Sequence, residues 1–138
     1  LSARYEPDLE RAVRMADVVS CATLSNLPLV KGAWLRPGMH LDLVGAFNLQ
    51  MREADDEAVR AAELFVDTPS ALTEGGDIAL ALKAGTIGND DIRATLADLA
   101  RGHHAGRASA EALTLFKSIG SALEDLAAAI LVWKQAGR

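Results

Sequence analysis

Cysteine is nearly absent: one thiol, Cys21, in 138 residues. That excludes an intrachain disulfide and a cysteine-built zinc site, and makes a reducing, cytoplasmic setting the expectation. Aromatic residues are few (three Phe, two Trp, one Tyr), and 14 Lys and Arg are outnumbered by 19 Asp and Glu. A net charge of −5 argues against a nucleic-acid partner, whose phosphates are bound first by basic patches. Long apolar runs are missing too. The stretch from Leu126 to Trp133 falls far short of the roughly 20 residues a membrane span requires. No basic segment followed by an apolar one opens the chain, so neither membrane nor secretion is expected. Gly-x-Gly-x-x-Gly occurs nowhere, and the chain opens Leu1-Ser2-Ala3 without a methionine. A fragment of a longer protein is therefore expected, inactive by itself. What is present is half apolar and a quarter charged, the balance of one folded domain rather than a disordered chain.

Along the chain, Glu6 to Met15 reads as a short helix with Leu9, Ala12 and Val13 on one face. Asp17 to Ala22 is a β-branched, nearly continuous apolar run, the pattern of a strand buried on both faces of a parallel sheet. Further strands are predicted at His40–Val44, Leu64–Val66 and Leu113–Phe116. Helices are predicted from Glu53–Asp56 to about Ala62, over Thr68–Thr73, and over Ile78–Ala84 with Asp77 as cap and Gly85 closing it. One more starts at Asn89-Asp90, carries Ile92, Leu96 and Leu99 on a stripe, and ends at Gly102. The last follows a Ser121-x-x-Glu124 capping box. Strands alternating with helices make the expected fold class α/β with a parallel sheet. Ligands of such sheets bind beyond the carboxyl ends of the strands, which here are Thr23–Ser25, Gly45–Asn48 and Asp67–Thr68.

Several groups admit two readings. Gly45, in Val44-Gly45-Ala46, either lets a flat cofactor ring approach the backbone or serves a turn. Thr23 and Ser25 offer hydroxyls and backbone N–H groups for a ribose or carboxamide, or form an ordinary turn. Ser118 either sits where a helix N-terminus favours oxygen ligands or only ends a strand. Glu74 stays open as a partner for a substrate amine, whereas Asp77 is read as a helix cap. His103-His104, on a polar loop without converging ligands, are read as solvent-exposed, and no metal is expected. Cys21 reads as an inert core thiol. The charged runs Arg52–Glu57 and Asp90–Arg93 read as solvated helix starts.

The order of these segments is familiar: Ala16-Asp17-Val18-Val19-Ser20-Cys21-Ala22-Thr23, Gly32-Ala33-Trp34-Leu35-Arg36-Pro37-Gly38-Met39-His40, Val44-Gly45-Ala46, Met51-Arg52-Glu53-Ala54-Asp55, Phe65-Val66-Asp67, Glu74-Gly75-Gly76-Asp77 and Phe116-Lys117-Ser118-Ile119-Gly120…Glu124-Asp125. The series resembles the ornithine cyclodeaminase/mu-crystallin family over essentially the whole chain. The resemblance implies the second half of a Rossmann-type NAD(P)-binding sheet over residues 1–110. Residues 111–138 would be a strand and helix returning toward a substrate and dimerisation domain, with a homodimer as partner state. It implies NAD or NADP as cofactor, held by Thr23, Ser25, Val44, Gly45 and Ser118, and Glu74 against a small amino- or imino-acid substrate. Ornithine cyclodeaminases carry an acid within a Gly-Gly-Asp-Cys-Pro-Gly segment, but Gly45-Ala46-Phe47-Asn48-Leu49 has none, and Glu74 falls on a different loop. The expected activity is therefore NAD(P)-dependent reduction or dehydrogenation of a small cyclic imino acid or amino acid. The alternatives are an ornithine cyclodeaminase-type lyase and a non-enzymatic mu-crystallin-like ligand binder. No catalytic residue is assigned.

Overall fold

The computed structural model describes residues 2–137. Five short strands, β1 (Val18–Cys21), β2 (His40–Leu43), β3 (Glu63–Val66), β4 (Ile92–Thr95) and β5 (Thr114–Lys117), form one sheet in the order β1-β2-β5-β3-β4. Every pairing is parallel. The last strand in sequence thus fills the centre of the sheet, between β2 and β3. An α/β parallel sheet is the expected fold class.

Side chains alternate across the sheet, and the two faces differ. Leu41, Leu43, Leu64 and Leu115 face the core, packed with Val13 of α1 (Leu9–Met15), Ala58 and Val59 of α2 (Asp56–Ala61), and Ile78 and Ala81 of α3 (Gly76–Lys83). The other face presents His40, Thr114 and Phe116, with Phe65 beside them, to a cleft of about 460 Å³. Leu96, Leu99, Gly106 and Arg107 close it. His40 Nδ1 and Thr114 Oγ1 are 2.7 Å apart there, and burial lowers the His40 pKa. Phe65 meets the ring of His104 edge-on, so His104 is half-buried while His103 is exposed as expected.

Four local expectations are corrected. β1 is not buried on both faces: it pairs with β2 alone at the sheet's edge, and Val18 and Ser20 are exposed. Residues 92–95 are a strand, not part of a helix. The helix α4 (Leu96–Ala100) starts only after Thr95, whose hydroxyl accepts from the Asp98 N–H while the Asp98 carboxylate accepts from the Thr95 N–H. That capping box sets the boundary, and Gly102 closes the helix with φ +73°. Asp77 is not a cap: Gly75 holds that position, and Asp77 lies buried in the first turn of α3. Glu53 is not on a solvated helix start. Asp55 caps α2, and Glu53 lies upstream in an extended segment beside the Val30–Ala54 bridge, fully buried. The final helix α5 (Ala122–Ala136) starts at Ser121, whose hydroxyl accepts from the Leu123 N–H, and none of its residues is buried.

Candidate functional site

The carboxyl ends of β1, β2, β5 and β3 lie side by side, and two buried carboxylates tie them in pairs. At the ends of β1 and β2 the organising group is Glu53. Its Oε1 accepts from the Thr23 N–H at 2.6 Å and the Thr23 hydroxyl at 2.8 Å. Its Oε2 accepts from the N–H groups of Gly45 at 2.8 Å and Ala46 at 3.3 Å. Gly45 is glycine because of close packing: a Cβ there would overlap the Thr23 backbone and the Glu53 carboxylate. At the ends of β3 and β5 the organiser is Asp67. Its Oδ2 accepts from the Ser118 hydroxyl at 2.9 Å and from the N–H groups of Ile119 at 2.8 Å and Gly120 at 3.0 Å. The backbone donors after β5 are thus occupied by the protein's own carboxylate.

Below Glu53 the polar web continues. Asp77 Oδ1 accepts from the backbone N–H groups of Glu53 at 2.8 Å and Ala54 at 3.0 Å. Its Oδ2 stands 3.5 Å from Lys117 Nζ, an ion-pair distance without a well-formed hydrogen bond, while Nζ donates to the Leu43 carbonyl at 3.2 Å. Lys117 is buried because strand alternation puts it on the core face with Leu115. Burial raises the Asp77 pKa, against the two N–H donors and the Lys117 charge. Cys21 nearby is pushed up to about 11, first by burial and then by Glu53, Asp77 and Asp42.

The candidate residues named from sequence divide into three groups. Thr23 and Gly45 meet on Glu53. Val44 lies between them and Ser118, because the Ser118 N–H donates to the Leu43 carbonyl. Ser25 stands slightly apart: its N–H reaches Thr23 Oγ1 at 3.3 Å and its hydroxyl closes a local turn with Leu27. Glu74 is exposed and touches none of these, but it lines a cleft of about 310 Å³ with Phe47, Asn48, Leu49, Gln50 and Thr73. Its loop is distinct, as expected, yet the fold returns it to Phe47. Glu53 and Lys117 were not singled out in the sequence, Asp67 was marked only as a strand end, and Asp77 only as a helix cap. For Lys117 a signal existed, a lysine in register with a core-facing leucine. For Glu53, one of four carboxylates within residues 53–57, no spacing distinguishes it.

The edge offers a ligand an open acceptor and two hydroxyl-bearing side chains. Val44 is 39% exposed, and among the described residues its carbonyl accepts no hydrogen bond, which leaves an acceptor for a carboxamide. The hydroxyl protons of Thr23 and Ser118 are committed to carboxylates, so these two side chains meet a ligand as acceptors or through their carbon surface. No group of three or more metal-ligating side chains forms among the described residues.

A five-stranded parallel sheet defines an α/β protein of the kind whose ligands bind beyond the carboxyl ends of the strands. The chain belongs to the ornithine cyclodeaminase/mu-crystallin family, whose model matches residues 5–138. A Δ1-pyrroline-2-carboxylate reductase of Paracoccus denitrificans is 43% identical over 120 residues, covering 86% of this chain and 38% of that protein. The structure of Thermococcus litoralis Δ1-pyrroline-2-carboxylate reductase in complex with NADH and L-proline superposes with a TM-score of 0.87 at 39% identity, over 92% of this chain and 40% of that one. An archaeal alanine dehydrogenase dimer with bound NAD gives 0.86 at 36% identity, over 94% of this chain and 40% of that one. The chain thus spans about 40% of the length of these relatives, and its sheet matches the NAD-binding region of the family's structures.

Proposed function

We propose that this chain forms the nicotinamide-binding part of an NAD(P)H-dependent reductase of a small cyclic 2-imino acid. The observation that carries the reading is the strand-end edge itself, with Val44 exposed between two carboxylate-braced loops and its carbonyl without a donor among the described residues. When bound, NADH or NADPH supplies hydride, and that chemistry belongs to the cofactor. The chain's own residues bind and orient. The Val44 carbonyl accepts from the carboxamide, Gly45 keeps the two strand ends in close contact, and Thr23, Ser25 and Ser118 line the ring's surroundings. Residues 1–110 are assigned to the dinucleotide-binding domain and 111–138 to a strand and a helix that joins a substrate and dimerisation domain in a homodimer.

Phe47 and Asn48 carry no titratable group at the position where a deaminating cyclase needs an acid or base near the substrate nitrogen. One observation keeps the cyclodeaminase reading as a second choice: Glu74 shares the Phe47 cleft. In either case Glu74 is assigned to the substrate. The two readings part in one assay of the whole protein. Oxidation of NAD(P)H with Δ1-pyrroline-2-carboxylate, without ammonia from ornithine and catalytic NAD, is the expected result. Robust formation of proline and ammonia from ornithine would overturn it, and dinucleotide binding without either reaction would leave a ligand binder.

A further inference from the structure

We propose that Glu53 is a positioning residue with a second effect: its charge biases the bound dinucleotide toward the oxidised, cationic form. The proposal rests on the reading that this strand-end edge takes the nicotinamide. Glu53 is fully buried, and all four groups on its two oxygens are donors: three backbone N–H groups and the Thr23 hydroxyl. That is the arrangement an ionised, acceptor-only carboxylate takes. It joins Thr23 and Gly45, which lie 30 and 8 positions before it in sequence, into one rigid corner around Val44.

The charge count gives the bias its sign. Glu53 and Asp77 bring two negative charges into the interior, and Lys117 brings one positive charge, held against Asp77 and the Leu43 carbonyl. Arg52 is engaged by Asp56. Asp67 adds a third buried carboxylate at the ends of β3 and β5, so negative charge stays in excess, and Glu53 lies a single hydrogen bond beneath the backbone of Thr23 and Gly45. Cys21 registers the same field, since Glu53, Asp77 and Asp42 raise its pKa further above the value burial sets and Lys117 opposes them. Charges act over longer distances in such a poorly solvated interior than in water. The oxidised nicotinamide ring is cationic and the reduced ring neutral, so a fixed negative charge below the ring favours the oxidised form. That lowers the free energy of the state reached once hydride has left, which suits a hydride donor.

The test is binding to the whole protein in the absence of substrate. Dissociation constants for NAD+ and NADH (or the phosphorylated pair) are measured for wild type and Glu53→Gln. The expected result is that Glu53→Gln weakens NAD+ at least about threefold more than NADH. A purely structural role would weaken both equally, and equal losses would overturn the charge bias. Hydrogen exchange of the Thr23, Gly45 and Ala46 amides tests the positioning role without any cofactor. Exchange about tenfold faster in the variant is expected, and unchanged protection would overturn it. If Glu53→Gln does not fold, Asp77→Asn removes a second negative charge from the same web and is expected to shift the NAD+/NADH ratio in the same direction; an unshifted ratio would count against the bias. Wild type that binds neither nucleotide would sink the functional reading and the bias together, while the exchange arm still decides whether Glu53 positions the corner.

Discussion

At the scale of single residues, the apolar interior beneath the strand ends encloses several charged side chains, and Cys21 reports on them. Burial is the first cause of its raised pKa of about 11, against an ordinary 9.0, and the surrounding carboxylates are the second. The thiolate is the reactive form, so two pKa units reduce it about 100-fold at neutral pH. Native protein at pH 8 should react with a soluble aromatic disulfide roughly 100-fold more slowly than urea-unfolded protein. The native rate should keep climbing until the pH nears 11. Equal rates at pH 8 would show that neither the burial nor the field is as described. The inert thiol was legible in the sequence because it sits in an apolar run. Its charged neighbours were not, because Glu53 and Asp77 stand among other carboxylates and only the fold separates a buried acid from a solvated one. Asp77 as a helix cap was a reasonable reading of Gly75-Gly76-Asp77, overturned because the backbone N–H groups of Glu53 and Ala54 outbid the helix terminus for its carboxylate.

At the scale of elements, four of the five strands could be read from apolar, alternating runs, and the helices from caps and glycines. β4 could not, because Ile92, Leu96 and Leu99 happen to share a helical stripe across a strand–helix junction. The local chemistry that breaks the stripe is Thr95, with Asp98 completing the box. Thr95→Ala should therefore lower stability by about 1 kcal/mol at pH 7, the usual worth of an N-cap. The pH dependence has a definite sign. The Thr95 hydroxyl, then its N–H, holds the Asp98 pKa below 3.8. A depressed carboxylate contributes stability above its unfolded pKa and loses it as pH falls through the folded one. The gap between wild type and Thr95→Ala in urea titrations should accordingly narrow once the pH drops below 3.8. A gap that stays constant into strong acid would mean that Asp98 takes no part in the cap.

At the scale of the whole molecule, the decisive feature is what the chain leaves unpaired. β1 is an edge strand with Val18 62% exposed, and its outer backbone groups offer a template for another strand. α5 carries Leu123, Leu126, Ile130, Leu131, Val132 and Trp133 in the open, with Trp133 81% exposed. A 15-residue helix with no buried residue gains nothing from tertiary packing, yet tertiary packing is what holds most helices in water. The sheet's second face adds the cleft lined by Phe65, Phe116, Leu96 and Leu99. Apolar surface of this extent drives association unless something covers it. Residues 1–138 produced alone should therefore sediment as dimers or larger species at micromolar concentration, with Trp133 fluorescence shifting to shorter wavelength as concentration rises. Two variants locate the contact. If α5 is the adhesive surface, Leu126→Glu with Ile130→Glu should shift the population toward monomer and return the Trp133 emission to that of exposed indole. If the β1 edge dominates, Val18→Pro should do so instead: Asp17 and Cys21 bond to β2, so the Val18 N–H points away from it, and proline removes that outward donor. A wild-type chain that stayed monomeric at high concentration would mean that α5 folds back onto this domain, and the open arrangement of sheet and helix described above would be wrong.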